Sequence, residues 1–201
     1  LYLIVFFSYC TKKSDVSREE DITPAKEDVY CVGSEENING ISVAKLWKNG
    51  EAVILSDGKK NAHANAVFVS GTDVYVAGHE MVDNGGIVAK LWKNAVAFDL
   101  SDGQNIADAL SVYVWGADVY VAGFVSNITG STATLWKNGI ATVLGSGVTY
   151  NNKANAVFVS DGTVYVAGFE NPTANVSTAK LWKNGVEFSI SDGLHQAGLN
   201  S

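Results

Sequence analysis

The stretch Ala44–Gly50 reads AKLWKNG, and it returns as AKLWKNA at Ala89–Ala95, ATLWKNG at Ala133–Gly139 and AKLWKNG at Ala179–Gly185. A second motif keeps step with it: VYCVG at Val29–Gly33 recurs as VYVAG from Val74, Val119 and Val164, at intervals of 45 residues. Trp47, Trp92, Trp136 and Trp182 follow at spacings of 45, 44 and 46, so the differences fall in intervening loops. Repetition at this period marks a supersecondary unit that cannot bury its apolar surface alone and gains a core by stacking on its neighbours.

Each unit divides into four short runs. In the second they are AVFVS (Ala66–Ser70), VYVAG (Val74–Gly78), VAKLW (Val88–Trp92) and VAFDL (Val96–Leu100), rich in β-branched and aromatic residues and without a sustained helical period. Asn49-Gly50, Asn138-Gly139 and Asn184-Gly185 read as two-residue hairpin turns, where both residues take positive φ. The second copy has Asn94-Ala95, and alanine kept in that turn would store roughly 1 kcal/mol of left-handed strain. The expected fold class is all-β, with strands A, B, C and D in each unit. On strand C, Ala44 and Leu46 project to one face and Lys45 and Trp47 to the other, so the four equivalent tryptophans read as packing residues.

Blade length, strand order, the glycine ending strand B and the later tryptophan together resemble kelch and related bacterial propeller repeats across residues 29–193. The chain departs from kelch in having single glycines, Gly33, Gly78, Gly123 and Gly168, where kelch has a pair, and it lacks the GH and WD pairs of WD40 blades. The resemblance implies a β-propeller built from four-stranded antiparallel blades of about 45 residues. The approximate units are 28–60, 61–105, 106–150 and 151–193, followed by a truncated start. The first clear unit begins at strand B, and SDGLHQAGLNS ends where another AVFVS run would begin. A fragment of a larger propeller is the expectation. Propeller families include enzymes, scaffolds and carbohydrate-associated proteins, so the fold selects none of these roles.

Residues 1–10, LYLIVFFSYC, form an apolar run closed by a cysteine, and 11–27 read as a polar linker. The run is too short to span a bilayer as a helix but has the length of a signal core. It resembles the end of a bacterial lipoprotein signal, with Cys10 as the lipidated residue, although Tyr9 departs from the small residue expected there. A plain signal sequence and a buried N-terminal strand are the other readings, in that order. The resulting expectation is an extracytoplasmic protein held in a bacterial cell envelope by a lipid anchor. Cys31 replaces the valine found at Val76, Val121 and Val166 and reads as a small buried hydrophobe without redox chemistry.

The net charge is -7 and the lysines recur at fixed places in the repeat, which leaves no basic stripe for a nucleic-acid backbone. No nucleophile elbow, phosphate loop or zinc-hydrolase motif is present, the three histidines lack metal-ligand spacing, and no metal or cofactor is expected. Variation gathers in the B-to-C and D-to-A connections, which emerge at one end of the units, whereas the A-to-B and C-to-D turns are nearly identical. The candidate ligand-binding residues are therefore Glu35, His79, Glu80, Asp83, Asn127, Glu170 and Asn171 from the first group and His63 and Asp108 from the second. They read as loop residues facing a protein or glycan partner. Trp115, where other units have Ser70 and Ser160, is a candidate partner contact on the opposite end. The favoured function is non-catalytic binding or scaffolding. The alternative is a carbohydrate-active or other hydrolase using a loop carboxylate pair such as Glu35 with Glu80.

Overall fold

The computed structural model describes residues 10–12, 28–145, 151–173, 176–193, 195 and 197–200, with the backbone alone for 10–12 and 172. The apolar run 1–9 and the linker from 13 to 27 lie outside the described residues. The fold is all-β, with no helix among the described residues. The strands fall into four sets: β1 (Cys10–Lys12), β2 (Val29–Glu36), β3 (Ser42–Lys48) and β4 (Glu51–Ile54); β5 (Ala62–Ser70), β6 (Asp73–Met81), β7 (Ile87–Lys93) and β8 (Val96–Asp99); β9 (Ile106–Trp115), β10 (Asp118–Asn127), β11 (Gly130–Lys137) and β12 (Ile140–Val143); β13 (Asn151–Ser160), β14 (Thr163–Thr173), β15 (Val176–Lys183) and β16 (Val186–Ser189). Within each set, consecutive strands pair antiparallel. Single parallel bridges, Ile87 with Ile106 and Ser131 with Asn151, link the second set to the third and the third to the fourth. The first set is a separate sheet, and the sheets do not close into a ring.

The hairpin turns have the backbone that their sequences require. Asn49, Asn94, Asn138 and Asn184 stand at φ between 48° and 53°, and Gly50, Gly139 and Gly185 follow at 87°, 81° and 79°. Ala95 holds the same turn at φ 66°, so the strain expected of it is present. Each asparagine also reaches back to the preceding hairpin. The side chain of Asn138 accepts from Val119 N at 2.9 Å and donates to Asp118 at 2.8 Å. The adjoining Lys137 bonds Asp118 at 2.7 Å and lies over the Tyr120 ring. Lys48 and Asn49 hold Asp28 in the same way, as Lys93 and Asn94 hold Asp73. The recurrence of KN in AKLWKNG thus fastens the C-to-D turn to the start of strand B.

Packing explains the rest of the motif. Val32, Ala44, Leu46 and Leu55 on one face of the first sheet meet Ala64, Val67, Val76 and Trp92 of the second. Ala77, Leu91 and Leu100 likewise meet Val112, Val121 and Trp136, and Ala122, Ala133 and Leu144 meet Val157, Val166 and Trp182. Every unit therefore offers a leading face carrying the tryptophan and a trailing face carrying tyrosine, alanine and leucine. The indole N–H groups of Trp92, Trp136 and Trp182 are buried without a hydrogen-bond partner, so these rings serve packing alone.

Two findings at the start of the chain depart from the sequence reading. Thr11 and Lys12, read from the sequence as the first residues of a linker, belong to β1, which pairs with β2 as the first set's strand A. Cys31 is a half-buried, disulfide-bonded residue and not a small free hydrophobe. It lies opposite Cys10 in the ladder, and Cys10 is the chain's one other cysteine. Cross-strand neighbours have the spacing that a disulfide needs, which a repeat alignment containing only Cys31 could not reveal.

Candidate functional site

At the variable end, strand A of the second, third and fourth units carries a bulge. The ladder passes from Ala64 opposite Gly78 to Ala66 opposite Ala77, leaving Asn65 unpaired, and a similar shift lies between Ala154 and Ala156. The bulge pushes the strand A backbone against the glycine ending strand B. A Cβ at Gly78, Gly123 or Gly168 would lie 2.0, 1.9 or 2.0 Å from the carbonyl oxygen of His63, Asp108 or Lys153. That clash accounts for the single glycine in each VYVAG. The freed Asn65 instead crosses the seam to Ala109 O at 2.9 Å, and Asn155 makes the matching bond to Leu199 O at 2.7 Å.

The residue after the glycine and the residue two before the bulged position meet across every seam, and their chemistry changes from seam to seam. Ser34 bonds His63 at 2.8 Å, and His79 bonds Asp108 at 2.8 Å. Next, Lys153 sits 4.1 Å over the Phe124 ring, and Phe169 then packs against Gly198. His63 and His79 are direct cross-strand partners, with ring centroids 5.0 Å apart. Asn65 also donates to Asp108 at 2.8 Å. The result is a half-buried line Ser34, His63, His79, Asp108 and Asn65 drawn from three units.

Its chemistry is that of a hydrogen-bonding surface. The Asp108 carboxylate only accepts, so His79 Nδ1 is the donor in their hydrogen bond. Burial first, and His79 second, hold His63 below its ordinary 6.5, against a smaller opposing pull from Asp108. The serine and aspartate contact different imidazoles, so no single ring links them as a nucleophile triad requires. No group of three metal-ligating side chains occurs among the described residues.

The structure brings together three of the sequence-selected residues, His63, His79 and Asp108, and places them on strands and not in loops. Ser34 and Asn65 complete the line and were missed. Their signal was positional, because Ser34 aligns with His79, Phe124 and Phe169, and Asn65 is the bulged residue.

The selected glutamates are engaged elsewhere. Glu35 pairs with Lys45; Glu80 pairs with Lys90 at 3.1 Å, and Glu170 with Lys180 at 3.1 Å. Lys90 also meets Asp99 at 2.6 Å, and Lys180 meets Glu187. Burial opposes protonation of both lysines, but the carboxylate hydrogen bonds prevail and raise them above the ordinary value. In the third unit Val125 and Thr134 stand in place of the glutamate and its lysine. Loss of both partners together is what an ion pair with a packing role would produce.

The remaining candidates are dispersed. Asp83 is 92% exposed and pairs with Lys60, while Asn127 accepts from Thr129 N in a local turn at 2.8 Å. Asn171 N donates to Asn152 at 3.2 Å. Trp115 is 42% exposed at the end of β9, on the opposite end from the seam line.

No protein-family model matches the chain, and no curated protein matches it. Among solved structures it is similar to an α-L-arabinofuranosidase from Clostridium thermocellum, at 11% identity and a TM-score of 0.40, covering 86% of this chain and 68% of that one. A likeness at that level carries no argument about activity.

Proposed function

We propose that the protein is a non-catalytic binding propeller, its sheets serving as blades of a larger array and its variable end recognising a polyhydroxylated ligand of the glycan class. The observation that carries the reading is the seam line. On a scaffold that otherwise repeats itself, the positions that meet across seams change from Ser–His to His–Asp to Phe–Lys. Half-buried donors and acceptors beside aromatic faces are the equipment with which a protein orients hydroxyl groups and stacks on sugar rings. The ion-paired glutamates favour binding over hydrolysis, since Glu35 and Glu80 each have a lysine partner in their own sheet.

An extracytoplasmic location accompanies this proposal, because a structural disulfide persists in oxidising compartments. A thioether lipid at Cys10 and a disulfide from Cys10 to Cys31 require the same sulfur, and the intact mass of the non-reduced protein separates them. Trp115 remains a proposed contact for a protein partner on the other end.

The experiment is retention on a polysaccharide panel in native affinity electrophoresis, with release of reducing sugar followed in parallel. The expected result is retardation by at least one polysaccharide without sugar release, weakened at least tenfold by His79→Ala with Asp108→Ala. Sugar release abolished by Glu35→Gln with Glu80→Gln would replace this reading with the hydrolase.

A further inference from the structure

We infer that Asn127 is an N-glycosylation site, the acceptor of a sugar transferred from a lipid-linked glycosyl diphosphate. Asn127-Ile128-Thr129, Asn171-Pro172-Thr173 and Asn175-Val176-Ser177 each place a hydroxyl residue two positions after an asparagine. Proline in the middle bars the second from the acceptor pattern. The other two differ in what their hydroxyls do. Thr129 turns its hydroxyl onto Asn127 Oδ1 at 2.6 Å, and its backbone N–H donates to the same oxygen at 2.8 Å. Ser177 instead gives its hydroxyl to Ala197 O at 2.8 Å, and Asn175 lies outside the described residues.

The repeat shows what sets Asn127 apart. The B-to-C connections of the first two units also carry an asparagine whose side-chain oxygen accepts from a backbone N–H two residues on, Asn37 from Asn39 and Asn84 from Gly86, both at 2.9 Å. There the amide nitrogen is engaged as well. Asn37 Nδ2 donates to Gly58 O at 2.9 Å and Asn84 Nδ2 to Gly103 O at 3.1 Å, which ties each connection to the D-to-A connection of its own unit. Asn127 Nδ2 has no acceptor among the described residues. Asn127 closes the β10–β11 ladder opposite Gly130, so the two-residue tip Ile128-Thr129 projects into solvent, and Asn127 is itself exposed. Its oxygen is thus held by two donors while its nitrogen faces water. Donation to Oδ1 polarises the amide and acidifies Nδ2–H, the proton that transfer must remove. In the transfer Nδ2 attacks the anomeric carbon, the C–N bond forms as the bond from that carbon to the phosphate oxygen breaks, and the lipid diphosphate leaves as Nδ2 gives up one proton. The inference rests on the extracytoplasmic location proposed above and not on glycan binding. The disulfide of Cys31 supports that location independently of the asparagine, because acceptor patterns carry meaning in secreted proteins, where disulfides persist.

The test is peptide mapping by mass spectrometry of the full chain from its own source. Trypsin places the two open patterns on separate peptides, residues 94–137 and 154–180. The expected result is a glycan on 94–137, located at Asn127 by fragmentation, with the disulfide of Cys31 present in the non-reduced digest. In chains secreted from a glycosylating cell, Thr129→Val should abolish the modification and Thr129→Ser should keep it, and Thr129 is exposed, so neither change disturbs the core. An unmodified Asn127 overturns the inference. An intact disulfide in that case leaves the extracytoplasmic location standing without it, whereas reduced cysteines remove both. A glycan on Asn175 with Asn127 bare, or a modification that survives Thr129→Val, also overturns it. Glycan binding by the seam line is untouched by any of these results.

Discussion

The two ends of each sheet solve opposite problems. At the turn end, lysine and asparagine of the KN turn fasten one aspartate and one backbone N–H in each of the first three units, so that end is the same from copy to copy. At the other end the glycine and the bulge fix the backbone alone, and the side chains meeting over them are Ser–His, His–Asp or Phe–Lys. A backbone device tolerates any side chain that fits, whereas a side-chain clamp tolerates one set. Repetition and variation therefore coexist in one sheet, and only the varied end is suited to recognition.

The comparison is broken most severely by unbalancing an ion pair near the variable end. Lys180→Thr leaves Glu170, which is 6% exposed, without its principal partner, at an expected cost of about 3 kcal/mol in chemical denaturation. Adding Glu170→Val copies the Val125 and Thr134 arrangement and should return stability to within about 1 kcal/mol of wild type. Equal losses in the single and double variants would mean that the glutamate does more than balance the lysine.

Gly78→Ala attacks the backbone device itself. The new methyl group would meet His63 O, forcing the bulge open at a cost of about 2 kcal/mol and shifting the imidazole resonances of His63 and His79 in NMR. A neutral substitution would show that the close approach does not shape the site.

Ala95→Gly acts at the turn end and in the opposite direction. Relief of a positive φ that the other units assign to glycine should stabilise the fold by about 1 kcal/mol, with the seam line unchanged.

The smallest effect is electrostatic. Lysine hydrogen bonds are the first cause holding Asp28, Asp73 and Asp118 below their ordinary 3.8. A carboxyl lowered on folding contributes stability that is present in full above 3.8 and lost as pH falls through the folded value. Replacing all three by asparagine should flatten the fall of Tm below pH 3.8, modestly because the groups face solvent.

Much of this arrangement was legible in the chain. Four AKLWKNG copies gave the strand order, the hairpins and the face on which tryptophan packs, since all three follow from local spacing. The bulge was not legible, because alternating apolar residues look alike whether or not Asn65 is skipped by the ladder. The sequence therefore predicts loops for His63 and Asp108, which lie on β5 and β9. Ser34 and His63 are 29 residues apart and become neighbours only once sheets stack, so a pass along one unit misses them. The glutamate–lysine pairs do have a signal in the chain, the joint change to Val125 and Thr134. β1 had no repeat signature, and only its register with β2 reveals its place.

The central claim is that recognition belongs to the seam line and not to the repeated end. Its most direct test is a glycan array probed with the wild type, with Ser34→Ala/His63→Ala/His79→Ala/Asp108→Ala, and with Asp28→Asn/Asp73→Asn/Asp118→Asn, all with matching circular dichroism. Binding lost in the seam variant and kept in the turn-end variant is the predicted result. Binding kept in the seam variant, or no glycan bound by the wild type, would contradict it.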